Sequence, residues 1–355
     1  MFKKVLSYIF ILSGLAVLVL STSRTAMQYI AEARDNEKWW GAYPCKHGDL
    51  VSLSYLDFVK KFTPLQEPFS IKPPSYSGPK NNAIYLNGDS YAWHLKDSAF
   101  AGACYFEHLG RLRTNYYHLD TPKRNILLIE IAEREVREYF SSLRMLNELY
   151  DSVKMKKEVS ATLPGAILYA GTKYASFVPD FHFKDIFNKN INQNLQCNLF
   201  NYNFIIPMFE YKAALNYYLF NRASGDVEIS DDRSFLFLKE TVSFTDVSSS
   251  YLPISAEEVN RLVNNFNTIY DRYKAEGFRD VYLAIIPNPA TIMQPARYNN
   301  LIPLIQTDKR LRMKIIDAYT AFKNSPKLLY QPGDTHWNNA GRQLWLDLVN
   351  KKLLN

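Results

Sequence analysis

Two short stretches carry the residue types of nucleophilic acyl chemistry, and they stand far apart in the chain. The first is Asn87-Gly88-Asp89-Ser90-Tyr91, directly after the apolar run AIYL at 83–86. The second is Gln331-Pro332-Gly333-Asp334-Thr335-His336-Trp337-Asn338. A serine hydroxyl is a weak nucleophile until a base takes its proton, and a histidine base works best when a carboxylate fixes its tautomer. Asp334 and His336 lie two residues apart in a loop. Asp334 can therefore accept from one ring nitrogen of His336 and leave the other for Ser90. Each stretch alone also has an ordinary reading. Gly, Asp and Ser all favour turns, and Asp334 or Asn338 can simply cap the helix that follows. Together, with Ser90 just after a strand, they are more specific than either half.

Other side chains near these stretches are candidates for lining a pocket. Trp93 follows the serine closely, and Trp337 flanks the base, where it either stacks on a sugar ring or walls His336 off from water. Asn288, in Ile286-Pro287-Asn288-Pro289, stands at another strand end, where it offers a hydrogen bond or merely forms a turn. His94, next to Trp93, either lines the same acyl or sugar pocket or sits on a helix surface, while His47, His108, His118 and His182 show no partner spacing. Cys45, Cys104 and Cys197 fit no metal pattern and include no Cys-x-x-Cys pair. No metal and no cofactor are expected, and the cysteine pairing is left open.

The elements that must hold these residues alternate in type. AIYL (83–86) and NILLIEI (125–131) read as buried strands, the second followed by a helix from Glu133 to about Met155. Ser255-Ala256-Glu257-Glu258 is a capping-box signature, and Val259, Leu262, Val263, Phe266, Ile269, Tyr270 and Tyr273 share one helical face before Gly277. A strand VYLAIIP (281–287), a short strand MKII (313–316), a helix over Ala318–Asn324 and a last helix over Asn338–Leu353 complete the pattern. Strands alternating with helices predict an α/β fold with a mostly parallel sheet covered on both faces. In such a sheet functional residues gather at the carboxyl ends of the strands, which is where Ser90 falls. Residues 156–252, rich in Phe, Tyr and Asn, break the rhythm and read as an inserted cap. The Pro-rich stretch Pro64–Pro79 reads as a linker or strap, so the main domain is expected to start near Asn81, after an extension over 25–80.

At the N-terminus Lys3 and Lys4 precede an apolar run from Val5 to Leu20, closed by Arg24. It lies between a signal-peptide core and a spanning helix of about 20 residues. Ser21 and Ser23 make a weak cleavage site, so residues 1–24 are read as an uncleaved anchor with the basic end in the cytoplasm. The 355 residues carry a formal charge of +7, yet Lys and Arg are interspersed with Asp and Glu without a basic run, which argues against nucleic acid as a partner. Aromatic residues make up 15% of the chain, suiting either a sugar-stacking surface or an aromatic core.

The blocks GDSY at 88–91 and DTHWNNAG at 334–341 resemble the SGNH (GDSL-type) hydrolase superfamily. Asp-x-His-Trp and ILLIEIAER (126–134) look like its extracytoplasmic alginate O-acetyltransferase-like branch. The resemblance covers scattered blocks between about 83 and 345. It implies a three-layer α/β/α fold in a bacterial cell envelope, with Ser90 as nucleophile, His336 as general base and Asp334 as its orienting partner. It also likens Arg134 to the arginine of a Glu-x-x-Glu-Arg motif, placed to hold an oxyanion or a uronate carboxylate. A helix-start salt bridge from Arg134 to Glu130 or Glu138 is the alternative. Two differences stand out: the superfamily commonly has Asp-x-x-His, and the acetyltransferase-like branch usually places its Asp-x-His before the serine. The usual Gly-x-Asn-Asp oxyanion block is absent, which leaves the Ser90 N–H as donor. The expectation is polysaccharide O-acetyl transfer outside the cytoplasm, with the acetyl donor delivered by a membrane-bound acyltransferase. A carbohydrate acetylesterase with the same residues, or a non-catalytic glycan-binding protein of the same fold, are the alternatives.

Overall fold

A computed structural model describes residues 2–23, 26–27, 48–62, 68–109, 119, 122–141, 191–200, 202, 205–223 and 225–354. The chain divides into two compact units, Met1–Lys60 with Pro164–Ser224, and Lys61–Leu163 with Gly225–Asn355. The sheet-bearing unit thus begins at Lys61 rather than Asn81, and the inserted segment is narrower than 156–252. Two contacts explain both shifts. The strap at 68–80 is hydrogen-bonded to the last helix, through Lys72 N–H to Gln343 Oε1 at 2.7 Å and Asn339 Nδ2 to the Pro68 carbonyl at 3.0 Å. Phe235 and Phe237, inside the expected insertion, are buried in the sheet unit's own core.

In the first unit the helix Phe2–Thr22 is long and apolar enough to cross a membrane, and Leu6, Ile9, Phe10 and Leu12 are exposed along it. Its far end is different. Ser21, Thr22 and Ser23 are buried. Asn194 and Asn198, on the helix Ile191–Phe200, donate from their amide nitrogens to the Ser21 carbonyl and hydroxyl, each at 2.8 Å. The helix Ile206–Phe220 joins this unit through Phe209, whose ring lies 5.3 Å from Tyr55 and 6.1 Å from Phe200.

The second unit is built on a five-stranded sheet of β1 (Asn82–Asn87), β2 (Ala103–His108), β3 (Arg124–Ala132), β6 (Asp280–Ile286) and β7 (Lys314–Ile315). Its order is β2-β1-β3-β6-β7, and every neighbouring pair is parallel. A separate antiparallel hairpin joins β4 (Val227–Ile229) to β5 (Leu236–Leu238). Parallel strands covered on both faces read as unbroken apolar runs, and β1, β3 and β6 are buried almost throughout.

Successive side chains of these strands point to opposite faces, and each face has its own core. On one, Ile84, Leu86, Ile126, Leu128 and Ala284 pack with the later helices α5 (Ala318–Lys323) and α6 (Asn339–Leu353). On the other, Tyr85, Leu127, Ile129, Leu283 and Ile285 pack with α1 (Glu133–Phe140), α2 (Ala256–Glu276) and α4 (Leu301–Gln306), α3 being the short helix Pro289–Met293. The described part of the unit is therefore a three-layer α/β/α body. α2 starts where Ser255 Oγ accepts from the Glu258 N–H at 3.1 Å and stops at Gly277, whose φ of 110° is open to glycine. α1 ends at Phe140, and the rest of the helix expected to Met155 lies outside the described residues.

The two edges of the sheet differ in chemistry. At the amino edge Asp280 takes Arg124 Nε at 2.7 Å and Lys314 Nζ at 2.5 Å. Burial raises this carboxyl, but the hydrogen bonds from Lys314 and Arg124 outweigh it and hold the pKa below its ordinary value. This cluster joins the starts of β3, β6 and β7. The carboxyl edge carries the groups described next.

Candidate active site

β1 runs to β2 on one side and to β3 on the other, so the strand order reverses between β1 and β3. At such a switch point the loops diverge and leave a crevice outside the carboxyl ends. The turn Gly88–Ala92 leaves β1 there. Gly88 lets the Glu130 carboxylate come close, since a Cβ on it would stand 2.7 Å from Glu130 Oε2 and displace that oxygen. That same carboxylate oxygen accepts the Asp89 N–H at 2.9 Å. Asp89 Oδ1 in turn accepts the Tyr91 N–H at 2.8 Å and caps the single 3₁₀ turn Ser90–Ala92. Two carboxylates thus occupy the N–H groups before and after Ser90. The Ser90 N–H has no acceptor among the described residues.

The second loop is closed by an antiparallel bridge between Tyr330 and Trp337. Inside it the Gln331 N–H donates to the His336 carbonyl at 3.2 Å, and the His336 N–H to Asp334 Oδ1 at 2.8 Å. His336 Nδ1 lies 2.6 Å from the same Asp334 oxygen, and its Nε2 lies 2.7 Å from Ser90 Oγ. A carboxylate accepts only, so Nδ1 carries the proton and Nε2 presents a lone pair to the serine hydroxyl. Side-chain exposures of 32% for His336 and 20% for Asp334 leave the pair within reach of solvent.

Tyr91 joins the two loops. Its hydroxyl donates to the Thr335 carbonyl at 2.5 Å, and its ring lies 5.0 Å from those of both His336 and Trp337. Behind it Trp337, 2% exposed, packs 5.5 Å from Trp345 of α6. α6 begins at once, with Asn338 Oδ1 accepting the Gly341 N–H at 3.0 Å. Gly341 is again a matter of space, because a Cβ would sit 2.4 Å from the Leu329 carbonyl oxygen.

The remaining predicted residues separate into three kinds. Arg134 is mostly buried and lies over the Tyr91 ring, its Cζ 5.7 Å from the centroid, with its Nε 4.0 Å from Glu135 Oε1. Trp93, 58% exposed, remains open to a ligand. Trp337 is the wall and not a stacking platform, since its ring is enclosed. Asn288 does not face a substrate either. It is fully buried, stands at the N-cap position of α3 without a side-chain cap bond, donates its N–H to Glu133 Oε2 at 2.9 Å and gives its amide to Ser250 Oγ at 2.9 Å. Glu133 also accepts from Thr291 Oγ1 at 2.5 Å. Complete burial pushes its carboxyl up to about 7, against the hydrogen bonds from Thr291 and Asn288 that pull it down.

Sequence reasoning missed Glu130 and Tyr91 as parts of the site. Glu130 had a readable signal, as the one carboxylate inside the otherwise apolar strand NILLIEI. Among the other histidines, His94 adopts a left-handed φ of 71° and lies 6.0 Å from Phe69. It lines a groove of about 530 Å³ with Phe69, Ile71, Lys96 and Ser98. Cys104 is free and exposed. His47, His118, His182 and Cys45 lie outside the described residues. No protein-family model matches the chain, and neither a curated protein nor a solved structure gives a significant match.

Proposed function

We propose that this chain is an extracytoplasmic serine-dependent O-acetyltransferase that acts on an envelope or secreted polysaccharide through an acyl-Ser90 intermediate. The observation that carries the reading is the continuous chain from Asp334 through His336 to Ser90, with links of 2.6 and 2.7 Å, at the reversal point of a parallel sheet. His336 Nε2 takes the hydroxyl proton as Ser90 Oγ attacks the acyl carbon of the donor ester. The tetrahedral oxyanion is held by the Ser90 N–H, which no described residue occupies. Collapse transfers the proton from Nε2 to the departing alkoxide and leaves an ester on Ser90. An acceptor sugar hydroxyl then gives its proton to Nε2, attacks the acyl-serine and departs as the O-acetyl ester, and the proton returns to Ser90 Oγ. Asp334 keeps Nδ1 protonated throughout and stabilises the imidazolium between steps.

The choice of a glycan acceptor rests on the resemblance of the GDSY and DTHWNNAG blocks, on the exposed Trp93 beside the turn, and on the apolar N-terminal helix. Donor acetyl groups would reach the site from a membrane-bound acyltransferase. An acetylesterase uses the same residues and differs only in passing the acyl group to water. A non-catalytic glycan binder predicts a serine beyond hydrogen-bond reach of the histidine, and the 2.7 Å distance offers it no support. The test is acetyl release from an activated ester by the full chain and by Ser90→Ala, with and without oligosaccharide acceptors. Loss of a triad nucleophile is expected to lower release by roughly 10³-fold or more. Acetyl on the oligosaccharide supports transfer, and acetate alone supports the esterase. Equal activity of the two proteins would refute both.

A further inference from the structure

The helix Ile206–Phe220 is apolar on nearly every side, its water-facing side included. Its inward stripe is Glu210, Ala213, Ala214 and Tyr217, together with Ile206. Its outward stripe is Met208, Tyr211, Leu215, Tyr218, Leu219 and Phe220, each between 43% and 70% exposed. A helix on a water-facing surface places its apolar residues inward and its charged ones outward. Here Lys212 is the one charged residue on the exposed side of the helix, and Arg222 stands exposed just beyond its end. Nothing in the packing of the helix calls for this pattern.

The neighbouring helix indicates what covers it. Asn194 and Asn198 hold the helix Ile191–Phe200 to Ser21, at the end of the apolar helix Phe2–Thr22. A 21-residue helix rises about 31 Å, the thickness of a bilayer's hydrocarbon core. When it spans, Ser21 lies at the level of the headgroups. Asn194 and Asn198 then lie there too. Leu199 and Phe200, at the end of the tethered helix, are also exposed, and Phe209 packs on Phe200. The N-terminal helix, the end of the tethered helix and the outward stripe thus all carry exposed apolar side chains within one compact unit. The composition of the stripe suits the interface: Tyr211 and Tyr218 among apolar side chains, with Lys212 on the exposed side and Arg222 just beyond the end, match the aromatic belt at the headgroup level.

We propose that the helices Ile191–Phe200 and Ile206–Phe220 form a membrane-interface platform, in which the outward face of Ile206–Phe220 is seated in the same lipid leaflet that receives the end of the N-terminal helix. The occupant is lipid. The inference rests on the N-terminal helix being a retained anchor, and it is independent of the acyl chemistry at Ser90.

The test uses the full chain in phosphatidylglycerol–phosphatidylethanolamine vesicles. An environment-sensitive fluorescent amino acid is placed at Leu219 in one preparation and at Ile9 in another. Quenching is read from lipids bearing a nitroxide either just below the headgroup or at the end of the acyl chain. The Ile9 label should be quenched by the deep nitroxide and the Leu219 label by the shallow one. Leu215→Glu should reduce quenching at 219 and leave Ile9 unchanged. If Ile9 is quenched but Leu219 is as unquenched as in nitroxide-free vesicles, the platform is refuted while the anchor stands. Crosslinking between copies at Leu219 would then assign the face to a second copy. If Ile9 escapes quenching, the anchor fails and the platform with it. In either case the Ser90-dependent assay is unaffected.

Discussion

At the residue scale the site rests on which nitrogen of His336 holds a proton. Asp334 Oδ1 is bound twice, by the His336 main-chain N–H and by Nδ1, so its carboxylate fixes both the loop and the tautomer. In Asp334→Asn an amide oxygen at the Oδ1 position still accepts both N–H groups, which keeps the loop, but carries no charge to stabilise the imidazolium. Turned the other way, its NH₂ group faces Nδ1 and favours the tautomer with Nε2 protonated and useless as a base. Ester turnover should fall by about 10³- to 10⁴-fold, while the melting temperature changes little. An unchanged rate would mean that His336 is not the base. The Asp334–His336 pairing was legible from a spacing of two residues. The Asp89–Glu130 contact was not, because it joins residues 41 apart through strand pairing that no local pattern specifies.

At the element scale, burial decided what could be read. The long apolar strands β3 and β6 and the capped helix α2 are visible in the sequence because their patterns are continuous over many residues. β2 was missed because it is an edge strand, with Cys104 and Tyr105 exposed and Glu107 and His108 half-buried, so it lacks an apolar run. The hairpin β4–β5 was absorbed into the insertion because each of its strands has only three residues. Two predictions belong here. Gly341→Ala sets a Cβ against the backbone of Leu329 and the Trp337 Cβ, at 2.4 and 2.8 Å, and the backbone cannot yield as a side-chain tip can. Overpacking of this kind costs about 1–3 kcal/mol. It should lower the melting temperature and also loosen the His336 loop, which is built on the same two residues.

The second concerns Glu133, whose carboxyl is raised by burial from 4.5 to about 7. Between those values the folded chain holds more protons than the unfolded one, so stability falls as pH rises through the window and stays lowered above it. Glu133→Gln keeps an acceptor for Thr291 and the Asn288 N–H and removes the charge. Melting temperatures at pH 5 and pH 8 should therefore separate for the wild-type chain and converge for the variant, by a difference of roughly 2–3 kcal/mol at most. A wild-type chain with no such drop would place the carboxylate in a better solvated state than its burial implies.

At the scale of the whole molecule, the ends of the apolar helix carry the argument. A cleaved signal segment should present an extended, accessible stretch to its peptidase. Here Ser21, Thr22 and Ser23 are buried and bonded to Asn194 and Asn198. The chain recovered from membranes should accordingly retain residues 1–22 by intact mass. Recovery of a species starting near Ala26 would contradict the anchor. Asn198→Leu, which removes the amide bonded to the Ser21 hydroxyl, should expose the segment and increase proteolysis near Ser23 without altering ester turnover. The extent of this unit was illegible in the sequence, because residues 1–60 and 164–224 come together only through tertiary contacts.

Whether Ser90 carries the acyl group is decided by peptide-level mass spectrometry of the full chain after brief exposure to an activated acetyl ester and an acidic quench. The account predicts one acetyl group on the peptide containing Ser90, lost on addition of an acceptor and absent in Ser90→Ala. An acetyl group found elsewhere, or ester turnover that persists in Ser90→Ala with no adduct at all, would contradict it.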